Sequence, residues 1–464
     1  MRKHLAEQTV IFFSVAKWLI LSSVVGIMIG ALMSIFLKLL HGAEANRELL
    51  PFHYYFLLPF ALMLTIWIVK TFDKNATGHG TEKVIEAVHK RDGLINIKVI
   101  PVKLVATLIT IFAGGSVGKE GPGAQIGAGA ASFASTILRF SNRDRKKLVI
   151  CGISAGFASV FGTPIAGAIF GIEVLIIGVI MYDVLLPSFI AGFAAFTTAQ
   201  FLGVEYTYYD VDFFRSLDLN LDLIGKVVLA GVFFGFVSDW FITVINEIES
   251  YIKKIPYSDY KKAFVAGLVM VVFSFFISDK YLGLGLNTIA EVFHNNVVLT
   301  DNINWYDFII KTFFTSLTLG AGGSGGIITP IFFVGATSGV TFGHLIGDNI
   351  ELFAALGFVS VLAGTTNSPI ASIIMAVELF GTQISHYAAV SVVIAFLITG
   401  HRSVFPSQKL ALKKADNIDI AEGDDIEHTR ISVNMEDIEK VKQIKDKLKY
   451  KSLRWQVKHH KEKK

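Results

Sequence analysis

The sequence predicts an all-α integral membrane protein built from two related halves, with several helices broken or strongly tilted. Two observations carry this. The first is composition: 464 residues, 53% of them hydrophobic, with a mean hydropathy of +0.57. Soluble domains hold about 45–50% apolar residues even with glycine counted. The second is a repeat inside the apolar sequence. Gly114-Gly115-Ser116-Val117-Gly118-Lys119-Glu120-Gly121-Pro122 has a partner in Gly322-Gly323-Ser324-Gly325-Gly326-Ile327-Ile328-Thr329-Pro330. Lys103 matches Lys311, Thr107 matches Thr315 and Gly127 matches Gly335 at the same spacing. A second pair runs from Thr163-Pro164-Ile165-Ala166 to Glu173, against Ser368-Pro369-Ile370-Ala371 to Glu378. Paired hydrophobic segments interrupted by Gly and Pro at corresponding places point to a transporter's binding site.

The elements follow in chain order. Thr9 to Leu40 is apolar except for Lys17 and Lys38, too long for a signal peptide and without a clear cleavage site. It reads as the first membrane helix, with Gly26 and Gly30 spaced for close helix contact. Apolar runs follow near 56–69, 104–118, 148–180, 184–203, 223–243, 263–277, 306–319, 327–347 and 352–400. A simple span needs about 20 apolar residues. Several of these runs are shorter or longer, so broken and tilted segments are expected. The halves cover about 10–205 and 222–408, joined by an aqueous link from Glu205 to Asp222 rich in Tyr, Asp and Phe.

Residues 1–408 form the predicted membrane domain, and 409–464 a polar, basic tail. Within the tail, Met435 to Leu453 has a helical period that places Ile438, Val441, Ile444 and Leu448 on one face. The net charge of +4 says little by itself, but basic residues crowd this tail and the Arg143–Lys147 connection. That bias places the tail on the cytoplasmic side of a cell membrane. The single cysteine, Cys151, lies in an apolar run and reads as a core residue.

Four short segments carry the chemistry: Gly78-His79-Gly80-Thr81-Glu82, Gly118-Lys119-Glu120-Gly121-Pro122, Gly326-Ile327-Ile328-Thr329-Pro330 and Ser403-Val404-Phe405-Pro406-Ser407. Each reads as a turn opening a helix. An anion crossing a bilayer sheds water, and helix N-termini replace it with unpaired N–H groups and a positive dipole end. Glycine lets the backbone approach the ion, and proline is accepted in the first turn.

On these motifs the chain resembles the CLC family of chloride channels and proton-coupled chloride exchangers. The family's Gly-Arg/Lys-Glu-Gly-Pro motif stands intact at Gly118–Pro122. Its Gly-x-Phe-x-Pro motif is close at Gly326–Pro330, with Ile328 for Phe. Its Gly-Ser-Gly-Ile-Pro motif is altered, with His79 for Ser, and Phe405 stands where the family usually has Tyr. The resemblance covers about residues 10–410. It implies two halves in inverted topology, a homodimer with one pore per subunit, and Glu120 as the gating carboxylate.

It further implies anion contacts from Gly78, His79, Gly80, Gly118, Lys119, Glu120, Gly121, Ile327, Ile328, Thr329 and Phe405. Glu120 and His79 become the candidates for proton transfer. An imidazole at position 79 either titrates beside the ion or turns away and leaves the backbone to bind it. Glu173 aligns with the first of two adjacent glutamates in many exchangers, and Val174 with their internal proton-transfer glutamate. Passive conduction and proton-coupled exchange both fit that pattern. Glu173 and Glu378 are expected to serve helix packing or the dimer seam.

The expected cargo is chloride, with fluoride the alternative: fluoride-exporting relatives also lack the Ser of the first motif. They usually carry Thr after the gating Glu-Gly, where this chain has Pro122. No cofactor, catalytic reaction or nucleic-acid partner is expected. A Walker loop fails because Ala113 and Glu120 occupy two of its required places. The twelve histidines are scattered, with no metalloprotease His-Glu-x-x-His.

Overall fold

A computed structural model describes residues 2–47, 49–209, 220–293 and 303–415, with the short stretches 418–419, 423–426 and 432–433. The predicted tail helix at Met435 to Leu453 and most of the link after Tyr209 lie outside the described residues. Among the described residues the first half contains α1 (Arg2–Arg47), α2 (Leu58–Phe72), α3 (Thr81–Lys90), α4 (Val99–Phe112), α5 (Glu120–Ile137), α6 (Asn142–Phe161), α7 (Pro164–Glu173) and α8 (Tyr182–Phe201). The second half contains α9 (Leu221–Lys254), α10 (Asp259–Phe276), α11 (Leu286–Phe293), α12 (Asp307–Gly320), α13 (Ile328–Ile346), α14 (Ile350–Thr366), α15 (Pro369–Phe380) and α16 (Ser385–Ile398).

Among the described residues, five helical segments are long and apolar enough to cross a membrane: Ala6–Arg47, Tyr54–Phe72, Tyr182–Phe201, Leu221–Lys254 and Ile328–Ile346. At 1.5 Å per residue α1 is about 69 Å long, against a hydrocarbon core of about 30 Å, so it tilts strongly or projects from the bilayer. The helices at Pro164–Glu173 and Pro369–Phe380 are apolar but too short to span. The broken and tilted elements read from the sequence are therefore present.

Local chemistry sets the ends. Ser141 caps α6 by accepting from the Asp144 N–H at 3.2 Å, and Gly162 closes it in the left-handed region at φ 75°. Proline opens both α7 and α15, where its missing N–H costs nothing. Gly26 and Gly30 do bring α1 against α8. A Cβ would lie 2.6 Å from the Ala191 oxygen at Gly26 and 2.4 Å from the Ala195 oxygen at Gly30.

The halves meet about a pseudo-two-fold axis, visible as reciprocal hydrogen bonds between equivalent groups. The Ser116 N–H donates to Thr318 Oγ1 and the Ser324 N–H to Thr110 Oγ1, both at 3.1 Å. The hydroxyl pairs Ser116–Thr315 and Thr107–Ser324 lie at 3.0 and 3.3 Å. Glu173 accepts from the N–H groups of Ile370 and Ala371 at the start of α15. Glu378 accepts in the same way from Ile165 and Ala166 at the start of α7. Each carboxylate, Glu173 buried and Glu378 half-buried, thus caps the opposite half's proline-led helix, a packing role of the kind read from the sequence.

The described part of the link is tied to the body. Tyr206 and Tyr208 donate their hydroxyls to the Ser159 and Gly162 carbonyls at 2.7 and 2.8 Å. Beyond residue 408 the chain also returns to the body: β2 (Lys409–Leu410) pairs in parallel with β1 (Ile176–Ile177). A second short pair joins β3 (Ile418–Asp419) and β4 (Ser432–Val433) in antiparallel. Cys151 is buried, as its apolar setting implied.

Candidate functional site

The N-termini of α5 and α13 face one another across the pseudo-two-fold axis. The turns before them form a two-bond antiparallel bridge: the Gly118 N–H donates to the Gly326 carbonyl at 2.6 Å, and the Gly326 N–H to the Gly118 carbonyl at 2.5 Å. Gly114 and Gly322, which open these turns, share a φ of 91°, a conformation that favours glycine.

Past the bridge the symmetry fails at one side chain. Glu120, 1% exposed, extends its carboxylate to the start of α13. Its Oε2 accepts from the Thr329 N–H at 3.1 Å and its Oε1 from the Thr329 hydroxyl at 2.5 Å. The second repeat has Ile328 in the equivalent place and returns no carboxylate to α5. The result is a buried carboxyl group at the N-terminus of the facing helix, held by a backbone donor and a hydroxyl. Lys119, half-buried, adds a positive charge close enough to act on Glu120.

The Gly78–Gly80 turn packs directly against this bridge. A Cβ at Gly121 would lie 2.3 Å from the His79 oxygen and 2.9 Å from the Gly326 Cα, and one at Gly80 2.4 Å from the Gly121 oxygen. Three of the four sequence motifs therefore meet through backbone alone. The fourth joins through rings: His79 and Phe405 have centroids 5.9 Å apart, tilted by 48°. Phe405 is fully buried, and the buried Nδ1 of His79 has no hydrogen-bond partner among the described residues.

A cavity of about 930 Å³ leads to Gly78 and His79 from the side where Ser403, Val404 and Pro406 lie. Lys70, Lys83, Lys253, Lys262 and Arg402 line it against Glu82, Glu249 and Asp259. Five basic groups to three acidic ones make it a mildly positive funnel, which raises the local concentration of anions.

The structure adds features that the sequence reading did not assign. The turn at Gly283–Gly285 is the repeat partner of Gly78–Gly80: φ values are 69° and 63° in the first and 57° and 74° in the second. The buried ammonium of Lys103 donates to the Gly78 carbonyl at 2.5 Å and to that of Ala76 at 3.3 Å. Lys311 repeats this with the carbonyls of Tyr281 and Gly283 at 3.0 and 2.9 Å. The Lys103–Lys311 match was visible in the repeat, but nothing in one sequence said what the pair holds. Among the described residues, no group of His, Cys, Asp and Glu is arranged to hold a metal ion.

A helical membrane body of two related halves, with broken helices whose N-termini converge on a buried carboxylate, defines an anion-transport protein. Residues 60–400 match the family model described as voltage gated chloride channel, and the chain belongs to that family, the CLC proteins. It is therefore a multi-pass membrane protein of a family that transports anions. It is 33% identical over 418 residues to the chloride/fluoride channel protein of Pseudomonas syringae pv. tomato, covering 88% of this chain and 90% of that one. It is 28% identical over 346 residues to an Escherichia coli voltage-gated ClC-type chloride channel, covering 72% and 80%. Among solved structures it resembles a CLC-type fluoride/proton antiporter, with a TM-score of 0.80 and 31% identity over 86% of this chain and 99% of the other.

Proposed function

We propose that this chain carries a halide through the site between α3, α5, α13 and the Phe405 segment, with Glu120 as a tethered anion that must leave for the halide to pass. The observation that carries this is the Glu120 carboxylate on the Thr329 N–H and hydroxyl. A site that satisfies a carboxylate at a helix N-terminus offers a halide the same donors once the carboxylate is protonated or displaced. The backbone of Gly78–Gly80, Gly118–Gly121 and Ile327–Thr329 lines the route, with the Phe405 ring edge as a weak positive wall. Glu120 is the first candidate for moving a proton, and His79, at the head of the cavity, is the second. By resemblance, two copies assemble with one pathway each. The cavity, which Ile426 from the described start of the tail helps to line, is assigned to the cytoplasmic side by the basic residues of the tail and of Arg143–Lys147.

Chloride is the cargo favoured by Pro122. Fluoride is a second reading, favoured by the word fluoride in the names of two relatives above 30% identity and by the loss of the first-motif Ser. Efflux of each ion from liposomes holding the full chain tests both. Flux of either supports the transport reading, their ratio assigns the cargo, and flux of neither contradicts it. A reversal potential that follows an imposed proton gradient identifies exchange, and one that ignores it identifies conduction.

His79→Ser is expected to shift halide affinity mainly at acidic pH, because an imidazole gains charge there and a hydroxyl does not. An equal shift at every pH contradicts a titrating imidazole.

A further inference from the structure

The turn that carries His79 and the segment that carries Phe405 are joined by one carboxylate. Glu82 stands in the first turn of α3, three residues after His79, and Ser407 two residues after Phe405. Glu82 accepts from the Ser407 N–H at 3.1 Å through Oε1 and at 3.4 Å through Oε2, and from the Ser407 hydroxyl through Oε1. Ser407 is buried, while Glu82 is half-buried and lines the cavity that reaches His79.

The surrounding charges are engaged elsewhere. On the same helix Lys83 pairs with Glu86 at 2.8 Å. Across the cavity Lys253 pairs with Glu249 at 2.7 Å, Arg402 with Asp239 at 2.5 Å, and Lys70 with Asp259 at 2.5 Å. Lys262 also reaches Asp259, at 3.7 Å, and His401 Nε2 accepts from the Lys414 N–H at 2.8 Å. Among the described residues Glu82 is held by a neutral serine, with no cation in ion-pair contact to fix it in the ionised form. An ionised carboxylate only accepts, and its bonds are about twice as strong as neutral ones. Protonation turns one oxygen into a donor and leaves the other a neutral acceptor, so the bonds from Ser407 lose their charge assistance and weaken.

We propose that Glu82 is a proton-operated clamp on the cavity end of the pathway. Ionised, it ties Ser407 to α3 and holds the His79 and Phe405 rings across the head of the cavity. A proton from cavity water adds to a carboxylate oxygen, the bonds from the Ser407 N–H and O–H fall from charge-assisted to neutral strength, and the two segments part. Deprotonation returns the proton to the cavity and closes the clamp. The clamp supplies a titrating carboxylate on this side in a chain where α7 is followed by Val174. It rests on the reading of His79 and Phe405 as residues of the halide pathway.

The test is halide flux by the reconstituted full chain while pH is varied on the cavity side alone, for the parent, Glu82→Gln, Ser407→Ala and Glu120→Gln. The parent flux is expected to rise about tenfold across two pH units on acidification, as for one titrating group. Glu82→Gln is expected to hold the acidic rate at all cavity-side pH values. Ser407→Ala is expected to reduce the span to about twofold, since the backbone bond survives. Both variants keeping the parent's cavity-side profile overturns the clamp alone. Glu120→Gln leaving the parent's response to pH on the opposite side unchanged overturns the pathway reading, and the clamp with it.

Discussion

In Glu120→Gln, halide flux is expected to lose its dependence on pH at the side opposite the cavity, along with any coupling to protons. The amide keeps the size of the side chain and can still accept from the Thr329 hydroxyl, so the fold around the bridge is retained. What disappears is the charge. The ionised carboxylate occupies donors that a halide needs, and two charge-assisted bonds contribute roughly 1.5–3 kcal/mol each. Even a net preference of 1.4 kcal/mol for the carboxylate over the halide is a factor of about ten in occupancy. A neutral side chain removes that competition at every pH. Glu120→Ala is expected to act in the same direction. Flux in reconstituted liposomes, measured while the opposite-side pH is stepped, reads the effect. A variant that tracks the parent's pH response contradicts the gate.

Gly121→Ala is expected to abolish transport and to destabilise the chain. Two effects of opposite sign compete. Alanine in a helix interior is favoured over glycine by about 1 kcal/mol. The added Cβ, however, would lie 2.3 Å from the His79 oxygen and 2.9 Å from the Gly326 Cα, and both are backbone atoms. Overpacking costs about 1–3 kcal/mol where side chains can shift, and here a turn must move instead. The steric term wins, and the movement it forces is at the site. Gly225→Ala is the control, because a Cβ there has nothing within 4 Å and gains only helix propensity. Thermal unfolding in detergent should separate them: a lowered midpoint for Gly121→Ala and an unchanged or raised one for Gly225→Ala. Equal midpoints and equal flux contradict the close approach of the two backbones.

Much of this architecture was legible in the sequence because the repeat is written in glycine and proline, whose backbone demands survive without an alignment. Gly114 and Gly322 adopt the same positive φ, and Pro164 and Pro369 open equivalent helices. The four motifs do converge, three of them through backbone contact. What one sequence hid are side chains that act across long separations. Thr329, expected only as one of the anion contacts, holds Glu120 with two bonds. The Glu82–Ser407 contact spans 325 residues and leaves no periodic signal. Lys103 and Lys311 were visible as a matched pair, but their carbonyl partners lie on turns whose relatedness emerges only from φ values. The cavity's basic lining comes from elements scattered over the whole chain, so no charge run announced it.

The central claim is that Glu120 occupies a halide site. Calorimetric titration of the purified chain with chloride and with fluoride, parent against Glu120→Gln, tests it most directly. The predicted result is tighter halide binding by the variant at neutral pH, by about tenfold, with the parent approaching it as pH falls and the carboxylate is protonated. Equal affinity in the two proteins at every pH, or weaker binding by Glu120→Gln, would show that the carboxylate and the halide do not share a site.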